Sequence, residues 1–288
     1  TDYAFNGGTL NGAGSIDLLS ATTTFNAVTS NTTFKVNGGN AKFDGTNLGG
    51  GKLDLASGTV SGSGTADFTS LDWSGGSLNA TVKSTGNTTI SGAGTKSLAG
   101  NLTLGGNTTW DGSTIAGSGT AKIKNESGKT FSATADGTIT GSVTFTNDGS
   151  FEKTSGATGG ATDIQSKFDN NGTVSIGAGK LKLTGGGTST GNVSVTGTLE
   201  VSGTDYAFNG GTLNGAGSIE LLSATTTFNA VTSNTTFKVN GGNAKFDGTN
   251  VGGGKLNLTA GTVTGSGTAD FSSLDWSGGN LDAKVKST

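Results

Sequence analysis

Phe25, Phe34, Phe43 and Leu53 stand 9, 9 and 10 residues apart, each preceded by Thr or Lys and each separated from the next by a stretch of Gly, Asn, Ser and Thr. Short runs in which apolar and polar residues alternate recur along the chain: LTL at 102–104, KIK at 122–124, VTF at 143–145, VSI at 174–176, LKL at 181–183, VSV at 193–195 and LEV at 199–201. Such brief alternation marks a strand with one buried and one wet face. The Gly, Asn and Asp between the runs supply residues that accept the positive φ of tight turns. No segment carries a 3.6-residue period, and so much Gly and Thr gives poor helix propensity. The pattern predicts an all-β chain of many short strands.

A second, longer period overlies the first. Residues 1–85 recur as residues 204–288 at a constant offset of 203, with about ten positions changed. The changes are mild: Asp17 becomes Glu220, Leu48 becomes Val251, Asp54 becomes Asn257 and Thr81 becomes Lys284. Internal repetition on this scale is the signature of stacked or arrayed architectures. The chain therefore reads as one complete unit, 1–203, followed by the start of a nearly identical one, 204–288, continuous with the first. With no initiator Met and with both termini falling mid-unit, it is expected to be an interior piece of a longer tandem array.

Short strands at a near-constant step, with little charge, predict a parallel β-solenoid running continuously through the repeats. Each coil would lie about 4.8 Å from the next, joined by backbone hydrogen bonds. Two or three strands per coil give roughly 18–30 residues per coil and about 7–10 coils per unit. The Gly-x-Gly motifs at 12–14, 62–64, 92–94, 117–119 and 177–179 are candidates for one corner of the coil, although their spacings of 50, 30, 25 and 60 set no register. The rival is a string of immunoglobulin-like sandwiches, two per unit, which also places turns every 8–12 residues. The lack of Pro and of any linker-like break favours the solenoid.

Composition narrows the function. Of 288 residues, 55 are Gly; 30% are hydrophobic and 13% charged, and there is no His, Cys, Met, Pro or Arg. Disordered chains of low hydrophobicity carry high net charge and abundant Pro, Glu or Gln; here the net charge is −3. Absent Cys removes disulfides, thiolate metal sites and thiol nucleophiles. The Lys are scattered singly among acids, which leaves no nucleic-acid footprint. No apolar run approaches the ~20 residues of a membrane span, and no signal peptide is visible.

The segment 145–203, with FTNDGSFEKTSG and KFDNNGTVSIGAGKLKLTGGGTSTGNVSVTGTLEVSG, together with WSGGSL at 73–78 and GTLNGAGSI at 8–16, resembles the Gly/Thr/Asn-rich repeats of giant bacterial surface and secreted proteins. It is similar to autotransporter passengers and filamentous-haemagglutinin-type adhesins. That resemblance implies a right-handed parallel β-helix displayed outside the cell, with roles in adhesion, aggregation and fibre formation.

Several residues are candidates for chemistry. β-Helix lyases resemble one another in using Arg or Lys as base beside carboxylate-bound calcium, and this chain has no Arg. Glycosidases need two carboxylates flanking a bond; Asp67 with Asp72, repeated as Asp270 with Asp275, is the nearest pair, and solvated strand or turn positions explain it more simply. The stretch Gly38 to Asp44 falls short of the stacked-Asp calcium coil because it lacks the third Gly and the nine-residue recurrence. Thr pairs at 23–24, 32–33, 88–89 and 108–109 suggest an ice-binding face, but lie 9, 56 and 20 apart, and outward Thr is ordinary in strands. Trp73, Trp110 and Trp276 could stack on sugars; packing under the Gly turns that follow them is the plainer expectation. Asn-x-Thr/Ser at Asn31, Asn87, Asn101, Asn107, Asn171 and Asn192 would direct glycans in a eukaryotic secreted protein, a moot point for a bacterial one.

No catalytic, cofactor-binding or metal residue is assigned. The expected function is a structural segment of an extracellular or cell-surface bacterial fibre, not an enzyme, requiring no cofactor and partnered chiefly by its own neighbouring units or by further copies, lateral or end to end. The alternatives are an adhesin stalk recognising glycans or other cells and, behind it, a polysaccharide-degrading β-helix enzyme.

Overall fold

The computed structural model describes residues 1–157 and 159–287. Among them lie 39 strands and no helix, hence none long and apolar enough to cross a membrane. The strands pair in parallel as a β-solenoid of about 15 turns. The chain divides into two compact bodies, 1–132 with 137–145, and 133–136 with 146–288.

In the first body each coil has three sides, and the 9–9–10 step alternates between two of them, with Phe25 and Phe43 on one and Phe34 and Leu53 on another. Thr33–Asp44 bends at Asn37–Asn40, so that Phe34 pairs across to Leu53 on one side while Phe43 pairs with Phe25 on the next. The first side stacks Ser15–Leu18, the first half of Thr33–Asp44, the first half of Lys52–Ser61, Ser70–Trp73, Thr88–Ile90 and Thr108–Trp110. The second stacks Tyr3–Asn6, Thr22–Asn26, the second halves of the same two long strands, Ser77–Leu78 and Lys96–Leu98. The third stacks Thr9–Leu10, Thr29–Ser30, Thr46–Gly49, Thr65–Phe68, Thr81–Ser84 and Asn101–Leu104. Partners such as Tyr3 and Thr23, Phe34 and Leu53, or Thr88 and Thr108 stand 20, 19 and 20 residues apart.

The second body is built the same way, and the repeat junction lies inside it. Gly187–Ser189, Asn192–Val195 and Thr198–Val201 belong to the first unit; they pair in parallel with Tyr206–Asn209, Thr212–Asn214 and Ser218–Leu221 of the second. The ladder passes through Gly203 and Thr204 without a linker.

Stacking coils in register puts like on like in the core. Phe5, Phe25 and Phe43 stack with ring centroids 5.4 and 5.2 Å apart, and Phe208, Phe228 and Phe246 repeat this at 5.3 and 5.1 Å. Phe34 and Phe68 meet them edge-on. Each buried ring contributes roughly 2–3 kcal/mol of transfer free energy. A buried polar ladder completes the second body: the Asn147 amide donates to Asn170 Oδ1 at 2.8 Å, and Asn170 Nδ2 donates to Ser189 Oγ at 3.0 Å.

The Gly-x-Gly motifs do not share a corner. Residues 12–14 turn from the third side to the first, 62–64 from the second to the third, and 92–94 from the first to the second. Their uneven spacing follows from that. At 62–64 the need for Gly is steric: Gly62 has φ +119°, and a Cβ on Gly62 or Gly64 would overlap the carbonyl oxygen of Phe43 or Gly45 one coil away.

Where copies differ, they differ outside. Of the ten changed positions, the nine with described side chains (17, 54, 56, 57, 61, 69, 77, 79 and 81) are all partly or fully exposed. Among the described side chains the core residues are identical, so their burial depends on what covers them. Tyr3 is 63% exposed, and its counterpart Tyr206, under Gly187, is 2% exposed. Thermal or denaturant unfolding should therefore show Tyr206→Ala costing about 3–5 kcal/mol and Tyr3→Ala within about 0.5 kcal/mol.

Candidate functional site

The outward side chains at the corners do one recurrent job. A strand ladder satisfies its own N–H groups, but a corner interrupts the ladder and leaves amides without a backbone acceptor. Asp and Asn one coil away supply it. Asp2 Oδ1 accepts from Thr22 N–H at 3.0 Å, Asn31 Oδ1 from Gly12 N–H at 3.0 Å, Asp111 Oδ2 from Gly92 N–H at 2.8 Å, and Asn192 Oδ1 from Thr212 N–H at 3.0 Å. The second copy repeats them with Asp205 on Thr225 and Asn234 on Gly215. Asn31, Asn107 and Asn192, flagged as sequon asparagines, are thus clamps between coils.

The paired-carboxylate candidates are separated by the coil. Asp67 lies on the third side opposite Lys83, and Asp72 on the first side, ion-paired to Lys52. Asp270 and Asp275 are divided in the same way, the former opposite Lys286 and the latter paired with Lys255. Asp44, the acid of the calcium-like stretch, has both oxygens engaged: Lys42 Nζ donates at 2.6 Å, and Ser63 N–H and Oγ–H donate at 3.2 and 3.3 Å. The Lys42 bond, then the Ser63 amide, hold its carboxyl below the usual range. Among the described residues no three acids gather about one point.

The Thr pairs split between inside and outside. Thr88 and Thr108 are buried while Thr89 and Thr109 stack outward, and the coil before them presents Asp72 in that column. Trp73 and Trp110 are fully buried, the Trp110 indole N–H donating to the Ser113 carbonyl at 2.8 Å. Trp276 is 56% exposed, and its N–H still turns back to the Gly279 carbonyl at 3.3 Å.

A dense electrostatic network lies on the first side of the second body, spanning the repeat junction. Lys182, Glu200, Glu220 and Lys238 form one axial column. Glu200, 5% exposed, takes Lys180 at 2.7 Å and Lys182 at 3.4 Å; Glu220 takes Lys238 at 3.1 Å and Lys180 at 3.5 Å. Burial pushes the Glu200 carboxyl up, but the two ammonium groups outweigh it and hold it below its ordinary value. The Glu200 bond raises Lys180 above its own.

Two lysines lie inside, where the sequence pattern gave no cue. Lys153 is buried and pairs with Asp136 at 2.9 Å, and the other Asp136 oxygen accepts from Ala157 N–H at 2.8 Å, clamping the loop after Lys153. Lys96 is buried on a core column, where its ammonium donates to the Gly92 and Gly94 carbonyls at 2.6 and 2.9 Å. Burial lowers its pKa, with Asp111 opposing. An 18-residue offset once the coil length is known would have found Lys182 with Glu200; nothing in the local text T-K-S-L marks Lys96 as an inward residue.

These features define a class, a parallel β-solenoid whose polar side chains are spent on holding coil to coil. Comparison with known protein families, with characterised proteins and with solved structures finds no match.

Two titrations follow. Glu200 is lowered on folding, so its stabilisation is complete above its ordinary value of 4.5 and is lost as pH falls through the folded value. Glu200→Gln should cost about 1–2 kcal/mol at pH 7, between exposed and fully buried pairs, and nothing near pH 2, measured by denaturant unfolding. Lys96 is also lowered, so the unfolded chain binds the extra proton and stability rises with pH up to the ordinary lysine value of 10.5. Lys96→Met should gain on the wild type at pH 7, and the gain should shrink as pH climbs toward 10.

Proposed function

We propose that this chain is a structural segment of an extracellular bacterial fibre made of tandem 203-residue solenoid units. The observation that carries the reading is the junction. Three strands before Gly203 pair in register with three strands after it, and among the described side chains the buried residues of the two copies are identical. A unit so joined can be added without a linker, a new core or a new interface. Length then scales with copy number, and the backbone ladder carries load from coil to coil.

The surface fits that task. Several of its acids and asparagines, among them Asp2, Asn31, Asp111, Glu200 and Glu220, are occupied in clamps and ion pairs between coils. With Lys as its basic residue and no Arg, it offers trypsin-like proteases few cleavage points.

The test is electron microscopy of the chain and of a longer one carrying one additional 203-residue unit. At about 20 residues and about 4.8 Å per coil, the extra unit should lengthen the particle by roughly 48 Å at constant width. Beads joined by flexible links, or a unit that adds width instead of length, would overturn the reading.

A further inference from the structure

We propose that the coil segment from Leu19 to Asn31, with its copy from Leu222 to Asn234, is the built-in yield point of each repeat, the place where the solenoid opens first. Three independent features converge there. The first is backbone strain. Ala21 and Ala27 have φ of 63° and 52°, and Ala224 and Ala230 have 65° and 55°; among the described residues these are the non-glycine positions with positive φ. The left-handed region crowds Cβ against the following carbonyl, and only Gly, with Asn and Asp behind it, enters it cheaply. This chain has glycine to spare and places it at 26 other positive-φ positions. Alanine instead of glycine flanks the strand Thr22–Asn26, and again Thr225–Asn229.

The second feature is a packing gap. A small gap, partly open to solvent, lies between this segment and the coils that follow it, bounded by Phe25, Val28, Phe34, Phe43, Ala66 and Phe68, and recurs at the equivalent residues of the second copy. Atoms facing a void lack contacts on one side. The third is thin attachment. The third-side strand here is only Thr29–Ser30, two residues long, and again Thr232–Ser233. Beside the strained turn Leu19 is 64% exposed and Leu222 37% exposed, apolar surface that adds nothing to the core. By contrast, the coil through Lys180–Leu183, Gly187–Ser189 and Asn192–Val195 has strands of four, three and four residues and meets its positive-φ turns at Gly179, Gly186 and Gly187.

Strained turns, a packing gap and a two-residue strand all lower the free energy of local opening of this segment. When this segment opens, it releases Phe25 and Val28, or Phe228 and Val231, from full burial. The opening is a property of the coil whether or not the repeats form a fibre.

Hydrogen exchange of the full chain read by mass spectrometry tests this, with 222–234 as the informative segment because coils flank it on both sides. Amides in 225–234 should exchange at least tenfold faster than those in 192–201 and in 255–264. Replacing both Ala224→Gly and Ala230→Gly should slow 225–234 by about three- to tenfold, leaving 19–31 of the same molecule unchanged as an internal control. A single Ala230→Asn, which tolerates the left-handed region, should act in the same direction. Equal protection across the three segments, or faster exchange in the glycine and asparagine variants, would overturn the proposal.

Discussion

The parallel backbone ladder between coils is the constraint from which the rest of the structure follows. A parallel pairing held in register for coil after coil forces each inward residue onto the inward residue about 20 places on. Phenylalanine therefore stacks on phenylalanine, at 5.1–5.4 Å in both copies. The same rule lets a narrow core suffice, because each layer is sealed by its neighbours and not by a surrounding shell. Where the ladder breaks at corners, side-chain oxygens take over as acceptors, which is why a chain with so few charges spends Asp2, Asp111 and Asp205 on backbone amides.

Most of this architecture was legible in the amino-acid sequence because it is written in short-range alternation and long-range repetition. The steps from Phe25 to Phe34 and Phe43 mark sides of the coil, and the 203-residue offset places the seam. Legibility ended at the corners. Gly-x-Gly reads as a single kind of turn, yet residues 12–14, 62–64 and 92–94 occupy three different ones, since any close approach of backbones favours the same residue. Lys96 and Lys153 were opaque for another reason. A long side chain can enter a core column and carry its ammonium back to turn carbonyls or to Asp136, and polarity patterns assign such a residue to the outside.

Charge plays a secondary and directional part. The column from Lys182 through Glu200 and Glu220 to Lys238 stacks two like charges on adjacent coils, and Lys180 reaches both. Glu220 stands where the first copy has Asp17, and the extra methylene is what carries it toward Lys180. The buried phenol of Tyr206, driven up by burial and then by Asp169, stays neutral and donates to the Thr188 carbonyl at 3.2 Å.

The seam at Gly203 and Thr204 has a consequence for ancestry. Because every buried pairing across it repeats what an identical unit would make, slippage or recombination that deletes or duplicates whole units leaves no scar in the interior. In an array of such units, selection on folding would be blind to those events, and the outward positions, Asp54 against Asn257 or Ser57 against Ala260, would hold the record of how long ago two units parted.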